Sequence, residues 1–124
     1  MYKVIWLVKF QPDKPREEVL KWWRGQHAEL AKVTPGMLRY VQSHWVEALD
    51  PITQQPAGKP GAYDGHAEHW FESKEAYDAA LASPEWKKTL LDGPFGFMDE
   101  GRAGGVLEET VITWDRMDDG RASP

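Results

Sequence analysis

The chain has no cysteine, which excludes disulfides and thiol catalysis. It has no long apolar run. The longest, Val4-Ile5-Trp6-Leu7-Val8, is far shorter than a membrane span requires. It has no basic excess either: 15 Lys and Arg stand against 20 Asp and Glu, for a formal charge of −5. Nucleic-acid binders carry a basic stripe and anionic membranes attract basic segments, so neither partner is expected. There is no phosphate loop, dinucleotide fingerprint, serine elbow or HExxH pattern, so neither an organic cofactor nor a metal is expected. Met1-Tyr2-Lys3-Val4 leads straight into a strand pattern, which leaves no room for a signal peptide. A cytoplasmic protein is therefore expected.

What the chain does have is aromatic surface. Its 124 residues include 7 Trp, 4 Tyr and 4 Phe. A domain of this size buries roughly 60–70% of its unfolded surface, and each aromatic side chain buries ~150–250 Å². That is more than one small core needs, so a ligand pocket or a subunit interface is expected as well. We read one domain over 1–115 and a polar tail over 116–124.

Alternation predicts a strand over 2–10, with Val4, Trp6 and Val8 on one face and Ile5 and Leu7 on the other. Asp13 is the candidate N-cap of a helix over 14–32, with Pro15, Glu17 and Glu18 in its first turn. Gly25 inside that helix costs ~1 kcal/mol against Ala and suggests a bend or a close approach. Thr34-Pro35-Gly36 ends the helix. A second strand is read over 37–47 and a third over 65–72. Between them a Pro- and Gly-rich loop over 50–63 is long enough for a lid or a binding loop. Ser73 caps a helix over 74–82, and Pro84 opens another over 84–91. An irregular aromatic segment follows over 92–98. Gly104-Gly105 reads as a turn, and the last strand is read over 106–114. The order β-α-β-β-α-β is the ferredoxin-like pattern, an α+β fold with helices on one face of a four-stranded antiparallel sheet. The other face carries apolar residues and must be covered. A second copy, sheet against sheet, would form a homodimeric α/β barrel.

The segment Trp22-Trp23-Arg24-Gly25-Gln26-His27-Ala28 draws attention first. Trp23 and His27 lie one above the other on the apolar stripe of the first helix. A histidine there is either a packed group satisfied by one hydrogen bond or a proton shuttle near neutral pH.

Several stretches together resemble the EthD family. They are the opening Tyr2-Lys3-Val4-Ile5, the Trp23-x-x-x-His27-Ala28 helix, and the run from Thr34-Pro35-Gly36 to Gln42. Tyr63-Asp64-Gly65, Glu68-x-Trp70-Phe71, Ser83-Pro84-Glu85, Asp99 and the strand from Val106 complete the pattern. The resemblance covers about residues 2–114 and implies a dimeric α/β barrel. It does not choose a chemistry, because the superfamily includes cofactor-free monooxygenases, muconolactone-type isomerases, cyclases, decarboxylases, lyases and haem enzymes. It implies that His27 is the histidine typical of the first helix and Trp23 the aromatic before it. His66 and His69 stand where the family pattern has apolar residues.

His27 and His69 are the candidate catalytic residues. His66 and His69 are three apart on a strand and point to opposite faces, so they cannot share one metal without a bulge. Tyr40 and His44 share one strand face, which looks either to the helix or to a partner subunit. Asp64 either orients a histidine or serves the Asp-Gly turn. Trp86, Phe95 and Phe97 would cap the pocket and exclude water. With Trp23, Tyr40, His44, His66 and Trp70 they form the candidate substrate-binding set. Trp6, Trp45 and Trp114 are read as core or dimer-interface residues. The leading reading is a small cofactor-independent enzyme, of isomerase, lyase or decarboxylase type. It would act on an apolar oxygenated ring compound, with His27 as acid and base. The alternatives are a cofactor-free monooxygenase of phenols, a dimeric binding protein for an aromatic compound, and a haem protein with a histidine axial ligand.

Overall fold

The computed structural model describes residues 1–113; Trp114 and the tail over 116–124 lie outside the described residues. Four strands form one antiparallel sheet in the order β2-β3-β1-β4, with β1 at Tyr2–Val8, β2 at Met37–His44, β3 at Gly65–Phe71 and β4 at Ala103–Leu107. The register aligns three inner rows: Val4, His69 and Tyr40; Trp6, Ala67 and Gln42; Val8, Gly65 and His44. The opposite face carries Ile5, Glu68 and Val41 in one row and Leu7, His66 and Ser43 in the next. This is the expected α+β, ferredoxin-like sheet.

The first helical stretch is α1, Arg16–Trp22, then a five-residue π turn, Trp23–His27, then α2, Ala28–Ala31. Its buried stripe runs Val19, Leu20, Trp22, Trp23, His27, Ala31, so the helical period read from the sequence does face the sheet. α3 spans Lys74–Leu81, and its N-cap Ser73 accepts from the Ala76 amide. α4 spans Pro84–Asp92, and its N-cap Ser83 accepts from the Trp86 amide. Both caps satisfy amides that a helix start leaves without partners. No helix among the described residues is long and apolar enough to cross a membrane.

Several boundaries differ from expectation. Asp13 does not cap α1: the cap position is Pro15, without a side-chain bond. Its fixed φ leads the chain into the helix unaided. β1 stops at Val8, and Phe10 pairs only as an isolated bridge with Phe97. β2 stops at His44, where the partner strand has reached its first residue, Gly65. The last strand lies earlier than read, at Ala103–Leu107 instead of 106–114, and it contains the Gly104-Gly105 pair taken for a turn. A Cβ on Gly104 would come within 2.4 Å of the Trp6 ring, so the strand can pass under that indole only as glycine. Gly25 makes no close approach, since a Cβ there would meet open space. The departure from regular helix is the π turn itself, a feature frequent at functional sites.

Two more indoles rest on glycines. A Cβ on Gly65 would lie 2.9 Å from the Trp23 ring and 2.5 Å from the Ser43 carbonyl. One on Gly96 would lie 2.2 Å from the Trp22 ring. These rings join Val8, Phe10, Val19, Leu20 and Phe97 in the core at one end of the helix layer. Beside this core, above Ala67 of β3, space is left open between the sheet and the helices.

Candidate functional site

That space is a cavity of about 400 Å³ between the inner sheet face and the helices. Its floor is Trp6, Val8, Tyr40, Ala67 and His69 from the strands. The helices add Trp23, His27 and Trp86, and the segment after α4 adds Gly93, Phe97 and Arg102. The volume suits a ring compound of small-molecule size.

His27 sits at the end of the π turn with its ring buried. Its Nδ1 lies 3.0 Å from Asp92 Oδ2 at the end of α4. The same carboxylate oxygen accepts from Trp22 Nε1 at 3.0 Å, and Oδ1 accepts from Gln26 Nε2 at 2.7 Å. With Trp22 and Gln26 both donating to it, the Asp92 carboxylate acts as acceptor, which places the proton on His27 Nδ1 and leaves the Nε2 lone pair free. Phe97 stands edge-on to the His27 ring at 5.5 Å and Trp22 is tilted against it at 4.7 Å. Burial pushes the imidazole below the ordinary histidine value; Asp92 pulls it back in part, and Arg102 adds to the lowering. The neutral form, a proton acceptor at Nε2, is therefore favoured.

His69, only 5% exposed, stacks on the Tyr40 ring at 5.1 Å and meets Trp86 edge-on at 5.6 Å. Burial lowers its pKa to about 4, and His27 contributes in the same direction. It is a neutral ring on the cavity floor. The Tyr40 hydroxyl accepts from Gln42 Nε2 at 2.7 Å, so its own proton remains available to donate. Burial raises the phenol's pKa and keeps it protonated. Gln42 also donates to the Trp23 carbonyl at 2.7 Å, and its Oε1 lies 2.8 Å from His44 Nε2. One amide thus ties β2 to the π turn.

Of the residues singled out from the sequence, His27, His69, Trp23, Tyr40, Trp86 and Phe97 meet at the cavity. Four do not. His44 is on the inner face but lies behind Trp23, edge-on at 4.9 Å. His66 points to the opposite face, where it accepts from Trp45 Nε1 at 2.9 Å. Trp70 is on that face too, with Lys3 and Arg39 over its ring at 4.4 and 4.9 Å. Phe95 is 40% exposed and packs on Trp22 at 5.3 Å, outside the cavity wall. The pleat explains His66 and Trp70, which share the face opposite His69. Asp64 neither orients a histidine nor bonds within its own turn: Oδ2 accepts from the Phe10 amide at 2.8 Å and lies 3.4 Å from Lys9 Nζ, fastening the start of β3 to the end of β1. No residue of the loop over 50–63 lines the cavity. Trp6, read as core or interface, is part of the cavity floor. Asp92, Gln42 and Arg102 were not anticipated. Among the described residues, no group of three or more His, Asp or Glu converges as for a metal.

The sheet order and the cavity between sheet and helices define a ferredoxin-like α+β protein with an aromatic-lined site. Within that class the chain belongs to the EthD family, whose domain profile matches residues 11–101. Among solved structures it is similar to an EthD family protein of Bacillus halodurans C-125, at 20% identity over 89% of this chain and 99% of that one, TM-score 0.69. It is also similar to a dimeric ferredoxin-like protein of Thermobifida fusca, 13% identical over 86% and 88% of the two chains, TM-score 0.62. An antibiotic biosynthesis monooxygenase shares the fold at 17% identity over 89% and 99%, TM-score 0.54. At these identities the likeness shows the fold alone, and the chemistry must come from the residues. No curated protein matches the chain.

Proposed function

We propose that this protein is a small cofactor-independent enzyme that moves a proton on an apolar, oxygenated ring compound. The observation that carries the reading is the buried His27–Asp92 pair, 3.0 Å apart, at the wall of an aromatic cavity. His27 Nε2 takes the proton, while Asp92 holds Nδ1–H and offsets the charge of the imidazolium that forms. Tyr40 and His69 donate to a substrate oxygen, and Trp23, Trp86 and Phe97 hold the ring. Isomerisation, elimination and decarboxylation all fit such a base. The outer sheet face, with Ile5, Leu7 and Val41 half-buried, is proposed to pair with a second copy. Two structural neighbours are described as dimeric.

The test uses 5-nitrobenzisoxazole, an apolar ring whose opening needs only a base: the ring proton leaves and the N–O bond breaks. The wild type is expected to accelerate it, and His27→Ala to lose about 10²–10⁴-fold of that acceleration. Native mass spectrometry is expected to show both proteins as dimers. A wild type that binds the compound, seen by tryptophan quenching, without accelerating its opening overturns the catalytic reading and leaves a binding protein. A second reading, a cofactor-free monooxygenase of phenols, draws on the name of one structural neighbour. Oxygen consumption with an electron-rich phenol separates it from proton transfer alone.

A further inference from the structure

The cavity wall contains one permanently charged side chain among the described residues, Arg102. Its Nε and Nη2 are buried and have no hydrogen-bond partner among the described residues. The nearest carboxylate, Asp99 Oδ1, is 3.6 Å from Nη2 and belongs to a side chain 82% exposed, too distant and too wet to satisfy the guanidinium. Asp92, the carboxylate held by His27, is already occupied by three donors. Arg102 stands over Phe97 at 5.6 Å, the same ring that flanks His27.

An independent observation lies on the same side. Trp6 Nε1, on the cavity floor, is also buried without a partner among the described residues. The Trp6 ring lies over Gly104 of β4, and Arg102 is the residue that leads into that strand. Buried donors without acceptors are rare and costly, on the order of 1–3 kcal/mol each and more for a charged group. Both residues line the same cavity; the indole lacks an acceptor and the guanidinium lacks an acceptor with negative charge.

We propose that the ring compound bound here carries a carboxylate and that Arg102 holds it. This deepens the proposed function and rests on it: the carboxylate is the handle that places the ring, and the proton moved by His27 lies elsewhere on it. Arg suits the task because its charge is permanent and its planar donor set matches a carboxylate. The chain's net charge of −5 repels anions in general, so a preference for an anionic ligand has to arise locally.

Trp6, Trp23 and Trp86 line the cavity, so binding can be followed by tryptophan quenching with a matched pair, 2-naphthoate and 2-naphthamide. The wild type is expected to bind the naphthoate at least tenfold more tightly. Arg102→Gln is expected to abolish that preference and leave the amide within twofold, and Arg102→Lys to recover part of it. Circular dichroism identifies any variant that fails to fold, and the wild-type comparison of the two ligands stands without variants. Equal wild-type affinities, or a naphthoate affinity unchanged in a folded Arg102→Gln, overturn this inference and spare the aromatic cavity. If neither compound binds the wild type, the inference and the function beneath it fall together.

Discussion

β3 places two histidines on opposite faces of one sheet. His66, on the outer face, accepts a hydrogen bond from Trp45 and lies 3.8 Å from Glu68. His69, on the inner face, has aromatic neighbours and no hydrogen bond among the described residues. The tryptophans divide in the same way. Trp70 outside lies under two cations, whereas Trp6 inside has a buried N–H with no acceptor among the described residues. On the outer face His66, Glu68 and Lys3 are paired within the chain. The inner face leaves His69, Trp6 and Arg102 to be satisfied by something else. Stability alone would favour pairing these groups, so the contrast between the faces marks where a ligand is expected.

The contrast can be broken in three ways. The largest effect concerns acid. His69 has a folded pKa of about 4 against the ordinary 6.5, so between those values the unfolded chain binds the proton more tightly. The stability that a neutral buried His69 contributes is fully present above pH 6.5 and is lost as pH falls through 4. At about 1.4 kcal/mol per pKa unit, urea unfolding is expected to lose up to ~3 kcal/mol from this group between pH 7 and 4. His69→Phe should flatten that slope; an unchanged slope would mean that His69 is not the buried neutral ring described.

The next effect compares neighbouring glycines. Gly104→Ala drives a Cβ against Trp6, whereas Gly105→Ala meets nothing within 4 Å. The first is expected to cost about 1–3 kcal/mol and the second to stay within about 0.5 kcal/mol in the monomer. If Gly105→Ala weakens the dimer in native mass spectra, the outer face is covered by a partner at that point.

The smallest effect is the sharpest separation of the faces. His66→Ala is expected to change base-catalysed ring opening by less than about twofold, since its partners lie across the sheet from the cavity. A tenfold loss would show that the outer face takes part.

Most of this fold was legible because its signals are local. Alternation marked β1 to β3, the apolar stripe marked the first helix, and Ser73 and Ser83 announced their helices as caps. β4 was misplaced because Gly104 and Gly105 have low strand propensity while Val111-Ile112-Thr113 is β-branched throughout and has high propensity. The glycines are in the strand because the Trp6 ring requires the space, a contact between residues nearly a hundred positions apart. The site was legible only in part for the same reason. His27, Trp23 and Trp86 stand out by type and period. Asp92 is 65 residues from His27 and looks like any acidic residue at a helix end. Arg102 becomes notable only once its missing partners are seen. The face of Tyr40 and His44 could not be assigned from alternation alone, because both faces of β2 are similarly polar.

The three indoles seated on glycines carry a consequence for how this cavity can change shape. In each pair the volume is held by one side chain and surrendered by the other, so the two positions trade against each other. Shrinking Trp6 would open a hollow above Gly104, and a larger side chain grown from Gly104 would refill it from the strand side. The backbone would stay where it is while the empty space moved across the sheet. Trp6 and Gly104, varied together, are therefore the pair through which this scaffold can be refitted to rings of a different outline, with the His27–Asp92 pair left in place.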